Sequence, residues 1–181
     1  MTTALIVIDV QRGFDDAEFW GKRNNPDAEA NIRLLIEAWQ REGQPIVLVR
    51  HNSTKPGSPL RPGQEGNEFK SELDGVIPDF LVNKSVHSAF HGEEDLHAWL
   101  QERGITRLVT CGIQTNRCVE TTTRVGGDLG YEIRYVLDAT FTFDETAQDG
   151  SVVTADEIAR VVAVNLHDNF AEVTTTRAVL T

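Results

Sequence analysis

Seven residues near the start, ALIVIDV (4–10), restrict the fold more than any other stretch. The run lacks the alternation of a strand with one wet face, and it is too short for an ordinary helix. It fits a strand buried on both faces, as in a parallel sheet covered by helices. Further runs of this kind follow: PIVLVR (45–50), FLVNK (80–84), RLVTCG (107–112), YEIRYVLD (131–138) and AEVTTT (171–176). Helical patterns separate them. In NNPDAEANIRLLIEAWQREG, Asn25 is the expected N-cap, Pro26 takes the first position and Gly43 is the stop. Ala28, Ile32, Leu35, Ile36 and Trp39 recur there as one apolar stripe. EEDLHAWLQERG should bury Leu96, Trp99 and Leu100, and a helix from Thr115 to Leu129 should follow the fourth strand. A last helix from Thr154, with Glu157 completing a capping box, should bury Ile158, Val161, Val162 and Leu166. Strands alternating with helices predict one α/β domain over residues 1–181, a parallel sheet between two helical layers.

Charge and cysteine content narrow the function. Seventeen Lys and Arg stand against 28 Asp and Glu, a formal net charge of −11. That excess of carboxylates repels phosphate backbones and anionic lipid, so neither nucleic acid nor membrane is an expected partner. The start, MTTALIVIDVQ, has neither the basic opening nor the cleavage site of a signal peptide. Two cysteines seven residues apart make neither a disulfide framework nor a Cys-x-x-Cys pair, and a reducing cytoplasm is the expected compartment. The segment from His51 to about Pro78 holds four prolines and four glycines, a long excursion expected to form a wall or lid over a site.

In open parallel sheets, ligands bind where the strands end. Asp9 ends the first strand, His51 follows the second, Lys84 closes the third, and GIQTNRC follows the fourth. Asp9 is either a turn-capping carboxylate or one whose proton has a use, and Lys84 is either a surface lysine or a partly enclosed one. Cys111 lies within a strand and reads as a small buried hydrophobe. Cys118 instead falls in the first turn of the next helix, with Thr115 as candidate N-cap, where amides and helix dipole would favour a thiolate. A lysine and a carboxylate nearby would complete an activated nucleophile held ionised by Asp9 and Lys84. Gly112 frees the sharp turn before it, whose N–H groups can converge as an oxyanion hole.

The set ALIVIDVQRGF, NKSVHSAF, CGIQTNRCVETTTR and DLGYEIRYVLDATFTFD resembles the isochorismatase-like cysteine hydrolases, which include nicotinamidases and N-carbamoylsarcosine amidases. The likeness runs from about residue 4 to residue 174. It implies a six-stranded sheet in order 3-2-1-4-5-6, with a crevice between strands one and four. It also implies an Asp9–Lys84–Cys118 triad, a cis Ile113–Gln114 bond, and an oxyanion hole made by the backbone N–H groups of Gln114 and Cys118. Phe14, His51, His87, Phe90 and Thr115 are the expected substrate-binding residues near the triad. Metal-binding nicotinamidases carry an Asp-x-His pair after strand two; here Arg50 and His51 stand without it, so neither metal nor other cofactor is expected. Isochorismatases that cleave a vinyl ether lack the nucleophilic cysteine, so Cys118 points to a small amide substrate. Enol-ether hydrolysis, a binding protein on the same scaffold and a Cys111–Cys118 redox pair are the alternatives. Family members are commonly homo-oligomers, and a homodimer or larger assembly is expected, with Phe19 and Trp20 as a candidate contact.

Overall fold

The computed structural model describes residues 2–181. Eight strands appear among them: β1 (Thr3–Ile8), β2 (Ile46–His51), β3 (Phe80–Lys84), β4 (Arg107–Ile113), β5 (Glu132–Phe141), β6 (Glu145–Thr146), β7 (Val152–Val153) and β8 (Glu172–Thr174). Six build one sheet in the order β3-β2-β1-β4-β5-β8, parallel at every junction. The expected sixth strand is therefore β8, because β6 and β7 form a small antiparallel hairpin that the aliphatic pattern does not mark. The helices are α1 (Ala17–Trp20), α2 (Ala28–Glu42), α3 (Leu96–Glu102), α4 (Glu120–Asp128), α5 (Ala155–Leu166) and α6 (Thr176–Leu180). None is long and apolar enough to cross a membrane.

Two cores explain the continuous aliphatic runs. Leu5 and Val7 pack on one face against Ile32, Leu35, Ile36 and Trp39 of α2. Ile6 and Ile8 face the other way, into a cluster with Leu96, Leu100 and Val162. Every side chain of β1 from Ala4 to Ile8 is thus fully buried, which only a sheet sandwiched by helices allows.

Helix ends differ in part from expectation. α2 starts at Ala28 after Asp27, and Asn25 is not its cap. Asn25 adopts a left-handed backbone (φ 41°), and its side-chain amide donates to the carbonyls of Asp138 and Thr140, tying the loop to β5. Gly43 ends the helix as predicted, at φ 63°. The α5 capping box is formed by Thr154 and Glu157. Inside that helix Ala155, Ala159, Val162 and Leu166 face the core, whereas Val161 is 56% exposed, so the buried stripe is rotated from the expected one. Thr154→Ala should cost about 1 kcal/mol of stability, measurable by denaturant unfolding, because the cap satisfies an amide with no intrahelical partner.

The excursion after β2 is packed rather than loose. Leu60, Leu73, Asn67 and Lys70 are all buried. The Lys70 ammonium binds Asp15 and, at 2.8 Å, Glu29 of α2. Burial pushes Glu29 up, but hydrogen bonds from Arg23 and Lys70 outweigh it and hold the carboxyl at about 2. The segment is a fixed wall beside the strand ends. Trp20 belongs to the same packing: it stacks on Phe143 at 5.4 Å and donates its indole N–H to Gly13, leaving Phe19 as the exposed ring of the expected contact pair.

Candidate active site

β1 stops where its backbone turns left-handed at Asp9, φ 53°. Short polar side chains tolerate that conformation best, and the turn aims the carboxylate across the sheet's edge. Asp9 N–H still donates to the Val49 carbonyl of β2, at 2.9 Å, so its position is fixed by the ladder. Lys84 ends β3, two strands away, and its stem crosses beneath β2's end to bring Nζ within 2.6 Å of Asp9 Oδ2. Both side chains are fully buried.

The third component arrives from β4. Gly112 has φ 126°, and a Cβ there would lie 2.0 Å from the Ile8 carbonyl oxygen, so only glycine lets β4 pass so close to β1. The Ile113–Gln114 peptide bond is cis. Gln114 is buried, and its carbonyl accepts from the amides of Arg117 and Val119, which closes a π-helical turn over Thr115–Val119. Thr115 is therefore not the cap of a regular helix. Its hydroxyl bonds Thr140 at 2.9 Å and its carbonyl accepts from the Tyr135 hydroxyl, so it braces the turn against β5.

Cys118 sits in that turn, 7% exposed. Its sulfur, an Asp9 carboxylate oxygen and a His51 ring nitrogen all lie within 4.8 Å of one another. His87 Nδ1 stands 3.7 Å from the sulfur, and His51 Nδ1 is 3.3 Å from Lys84 Nζ. Among the described residues, Asp9 Oδ1 is buried with no hydrogen-bond partner, so the carboxylate keeps an unengaged oxygen. Such a set can pass a thiol proton to the carboxylate while the ammonium holds that carboxylate in place.

The expected resting thiolate is not what the surroundings favour. Burial pushes the Cys118 thiol up, the Asp9 charge adds to that, and Lys84 opposes both without prevailing. The physical reason is position: the sulfur is covered, inside the π turn that leads into α4, and not at an open helix start. For Lys84, burial disfavours the charge, but Asp9 and then Cys118 outweigh it and hold the ammonium above its ordinary range. Cys111 is fully buried, its thiol pushed up by burial alone, with the Ile6 carbonyl 3.9 Å from its sulfur.

Other expected pocket residues separate into two groups. His51 and His87 are brought to the sulfur and the ammonium. Phe14 instead joins Trp20, Phe141 and Phe143 in an aromatic cluster on the opposite face of the sheet. Phe90 stacks on Tyr131 at 5.6 Å, near the far end of α4, because Gly126 leaves room for its ring there. Gln11 and Asn67 are polar residues at the site that local patterning did not single out. The cue for Gln11 was a polar residue two places after Asp9 at the end of an aliphatic run.

Asp9, His51 and Cys118 have the convergence of a metal site, but the donor set does not fit a divalent ion. The Lys84 ammonium already stands 2.6 Å from the carboxylate and 3.3 Å from the imidazole, and a second cation there would face its full repulsion. Two open clefts lie elsewhere. One of about 710 Å³ runs past Arg107, Tyr131 and Arg134 at the strand starts, and one of about 790 Å³ runs past Arg12, Glu29 and Lys70. Neither includes Asp9, Lys84 or Cys118, so size alone would mislead; the convergence of acid, ammonium and thiol marks the site.

The isochorismatase domain model matches residues 3–178. The chain belongs to the isochorismatase family. The isochorismatase-family protein YrdC of Bacillus subtilis (strain 168) is 38% identical over 173 residues, covering 96% of this chain and 91% of that protein. A solved isochorismatase-family structure from Chromobacterium violaceum superposes with a TM-score of 0.93 at 36% identity, covering 99% and 92% of the two chains. A structure of a cysteine hydrolase from Pseudomonas syringae pv. phaseolicola gives 0.87 at 27% identity, covering 98% and 90%. Nicotinamidase 3 of Arabidopsis thaliana is 28% identical over 163 residues, 83% of this chain and 78% of that protein. This isochorismatase-family protein is a hydrolase, and its sheet order is that of its structural neighbours.

Proposed function

We propose that this hydrolase cleaves a small amide through a thioester on Cys118, with Asp9 and Lys84 completing the catalytic set. The observation that carries the reading is the buried meeting of carboxylate, ammonium and thiol, with Lys84 Nζ 2.6 Å from Asp9 and the sulfur within 4.8 Å of the carboxylate. Likeness to a cysteine hydrolase and a nicotinamidase supports an amide rather than a vinyl ether as substrate.

In this mechanism the thiol gives its proton to Asp9 as the sulfur attacks the carbonyl carbon. Burial and the Asp9 charge push the thiol up, so transfer accompanies attack instead of preceding it. The backbone N–H groups of Gln114 and Cys118 hold the developing oxyanion. Asp9 then protonates the departing ammonia or amine, the C–N bond breaks, and a thioester remains. Water, giving its proton to the same carboxylate, releases the acid and restores the thiol. Lys84 holds the Asp9 carboxyl in place while it takes up and gives back the proton.

The test is ammonia release from a panel of small carboxamides and carbamoyl compounds, with and without prior dialysis against EDTA. Hydrolysis of at least one amide, unchanged by EDTA, is the expected result. Activity only on a vinyl ether, read as pyruvate, would overturn the amide reading. Activity lost to EDTA and restored by a divalent ion would overturn the metal-free site.

A further inference from the structure

Lys84 presents an electrostatic problem that the Asp9 pair alone does not solve. A fully buried ammonium has three N–H donors, each of which needs an acceptor. Asp9 Oδ2 takes one at 2.6 Å, and the Cys118 sulfur lies close by, within 4.8 Å of the Asp9 carboxylate and of a His51 ring nitrogen. His51 Nδ1, at 3.3 Å, is the remaining partner. An ammonium can only donate, so Nδ1 must present its lone pair, and the imidazole must be neutral with its proton on Nε2.

His51 is also held more firmly than a loop histidine needs to be. Gln11, fully buried, reaches across from the end of β1 and bonds the His51 backbone from both sides: its Oε1 accepts from the His51 N–H at 2.8 Å, and its Nε2 donates to the His51 carbonyl at 3.1 Å. Asn67, from the excursion after β2, donates to the same carbonyl at 3.1 Å. Gln11 also donates to the Asn67 carbonyl at 2.9 Å, closing the arrangement.

We infer that His51 is a positioning residue, whose neutral Nδ1 holds the Lys84 ammonium against Asp9 and Cys118, with Gln11 and Asn67 fixing its backbone. The inference deepens the proposed amide hydrolysis and rests on Lys84 and Cys118 acting as described there. It gives His51 a task other than substrate contact. When Asp9 takes the thiol proton, Lys84 loses its anionic acceptor for the moment. The imidazole lone pair stays, so the ammonium remains beside the sulfur as negative charge develops.

The charged and titratable groups around this point are Asp9 from the end of β1, Lys84 from the end of β3, Cys118 and the exposed Arg117 from the π turn, His87 from the loop after β3, and Lys55 from the excursion. Burial, with Lys84 and His87 adding to it against Asp9, keeps His51 below its ordinary range and so neutral.

Leucine and asparagine both branch at Cγ and carry four non-hydrogen side-chain atoms, but only asparagine can offer an oxygen near the position of Nδ1. The experiment compares wild type, His51→Leu and His51→Asn by the rate of Cys118 alkylation with iodoacetamide across the neutral to alkaline range. His51→Leu should react about tenfold more slowly at each pH, the effect of about one unit in the thiol, while His51→Asn stays within about twofold of wild type. His51→Val, suited to a strand end, replaces the leucine variant should that one fail to fold. Equal rates for the acceptor-bearing and apolar variants would overturn the inference. Because alkylation needs no substrate, the outcomes separate: the predicted order of rates with no amide hydrolysed by wild type would retain His51's role and sink the proposed reaction. Amide hydrolysis with equal alkylation rates would do the reverse.

Discussion

Cys118→Ala should lower amide hydrolysis by at least about 10⁴-fold, because no other group at the site can carry the acyl intermediate. Asp9 and Lys84 would remain in place, and substrate would still be positioned, so a small residual rate over water is expected. Stability should fall by only about 1 kcal/mol, the cost of trimming one small buried atom. Ammonia release and denaturant unfolding measure the two effects separately. Cys111→Ala is the matched control: its sulfur lies in the sheet, faces only the Ile6 carbonyl, and plays no part in the chemistry. Cys118→Ala retaining a rate within tenfold of wild type would end the thioester proposal.

Lys84→Met has the second large effect, and it reaches both activity and stability. The substitution keeps the stem's shape but strips Asp9 of the one cation that pairs with it among the described residues, leaving a carboxylate that is fully buried and uncompensated. Removing one member of such a pair costs about 3–5 kcal/mol. Adding Asp9→Asn to Lys84→Met should recover a large part of that loss without restoring activity, since the orphaned charge is gone but the proton acceptor is gone too. The pH dependence has a defined sign. Lys84 is held above its ordinary 10.5 in the folded protein, so the pair's contribution is fully present below that value. It fades as pH rises through the higher folded value, and the gap between wild type and Lys84→Met should close only there. A gap unchanged into strong alkali would contradict a charged lysine.

Much of this architecture can be read from the chain because buried parallel strands leave an unusual trace. ALIVIDV has no polar alternation, and each face of β1 does pack into its own core. Asp9, Lys84 and Cys118 were legible for a related reason: each interrupts or follows such a run, at the edge where strand ends gather. Less visible were features set by contacts between distant segments. Asn25 looks like a cap from its neighbours in sequence, yet its amide is used by carbonyls more than a hundred residues on. The π turn that carries Cys118 depends on the Gln114 carbonyl accepting two amides, which no local propensity announces. Phe90 lies only six residues from Lys84 but turns into a space that Gly126 opens on α4. The partnership of His51 with Gln11 and Asn67 joins three separate segments, and each residue alone has an ordinary polar appearance.

The covering of Cys118, which disfavours its charge, has a consequence for the enzyme between turnovers. Peroxides and stray electrophiles attack thiolates that they can reach, and this sulfur is pushed away from ionisation by its burial and is 7% exposed. Idle molecules should thus resist oxidation to sulfenic and sulfinic acids far better than a cysteine enzyme that stores its anion in advance. In the proposed mechanism reactivity arises only when a carbonyl carbon is there to receive the electron pair, so the same burial that disfavours charge on the sulfur would also preserve it for the next substrate.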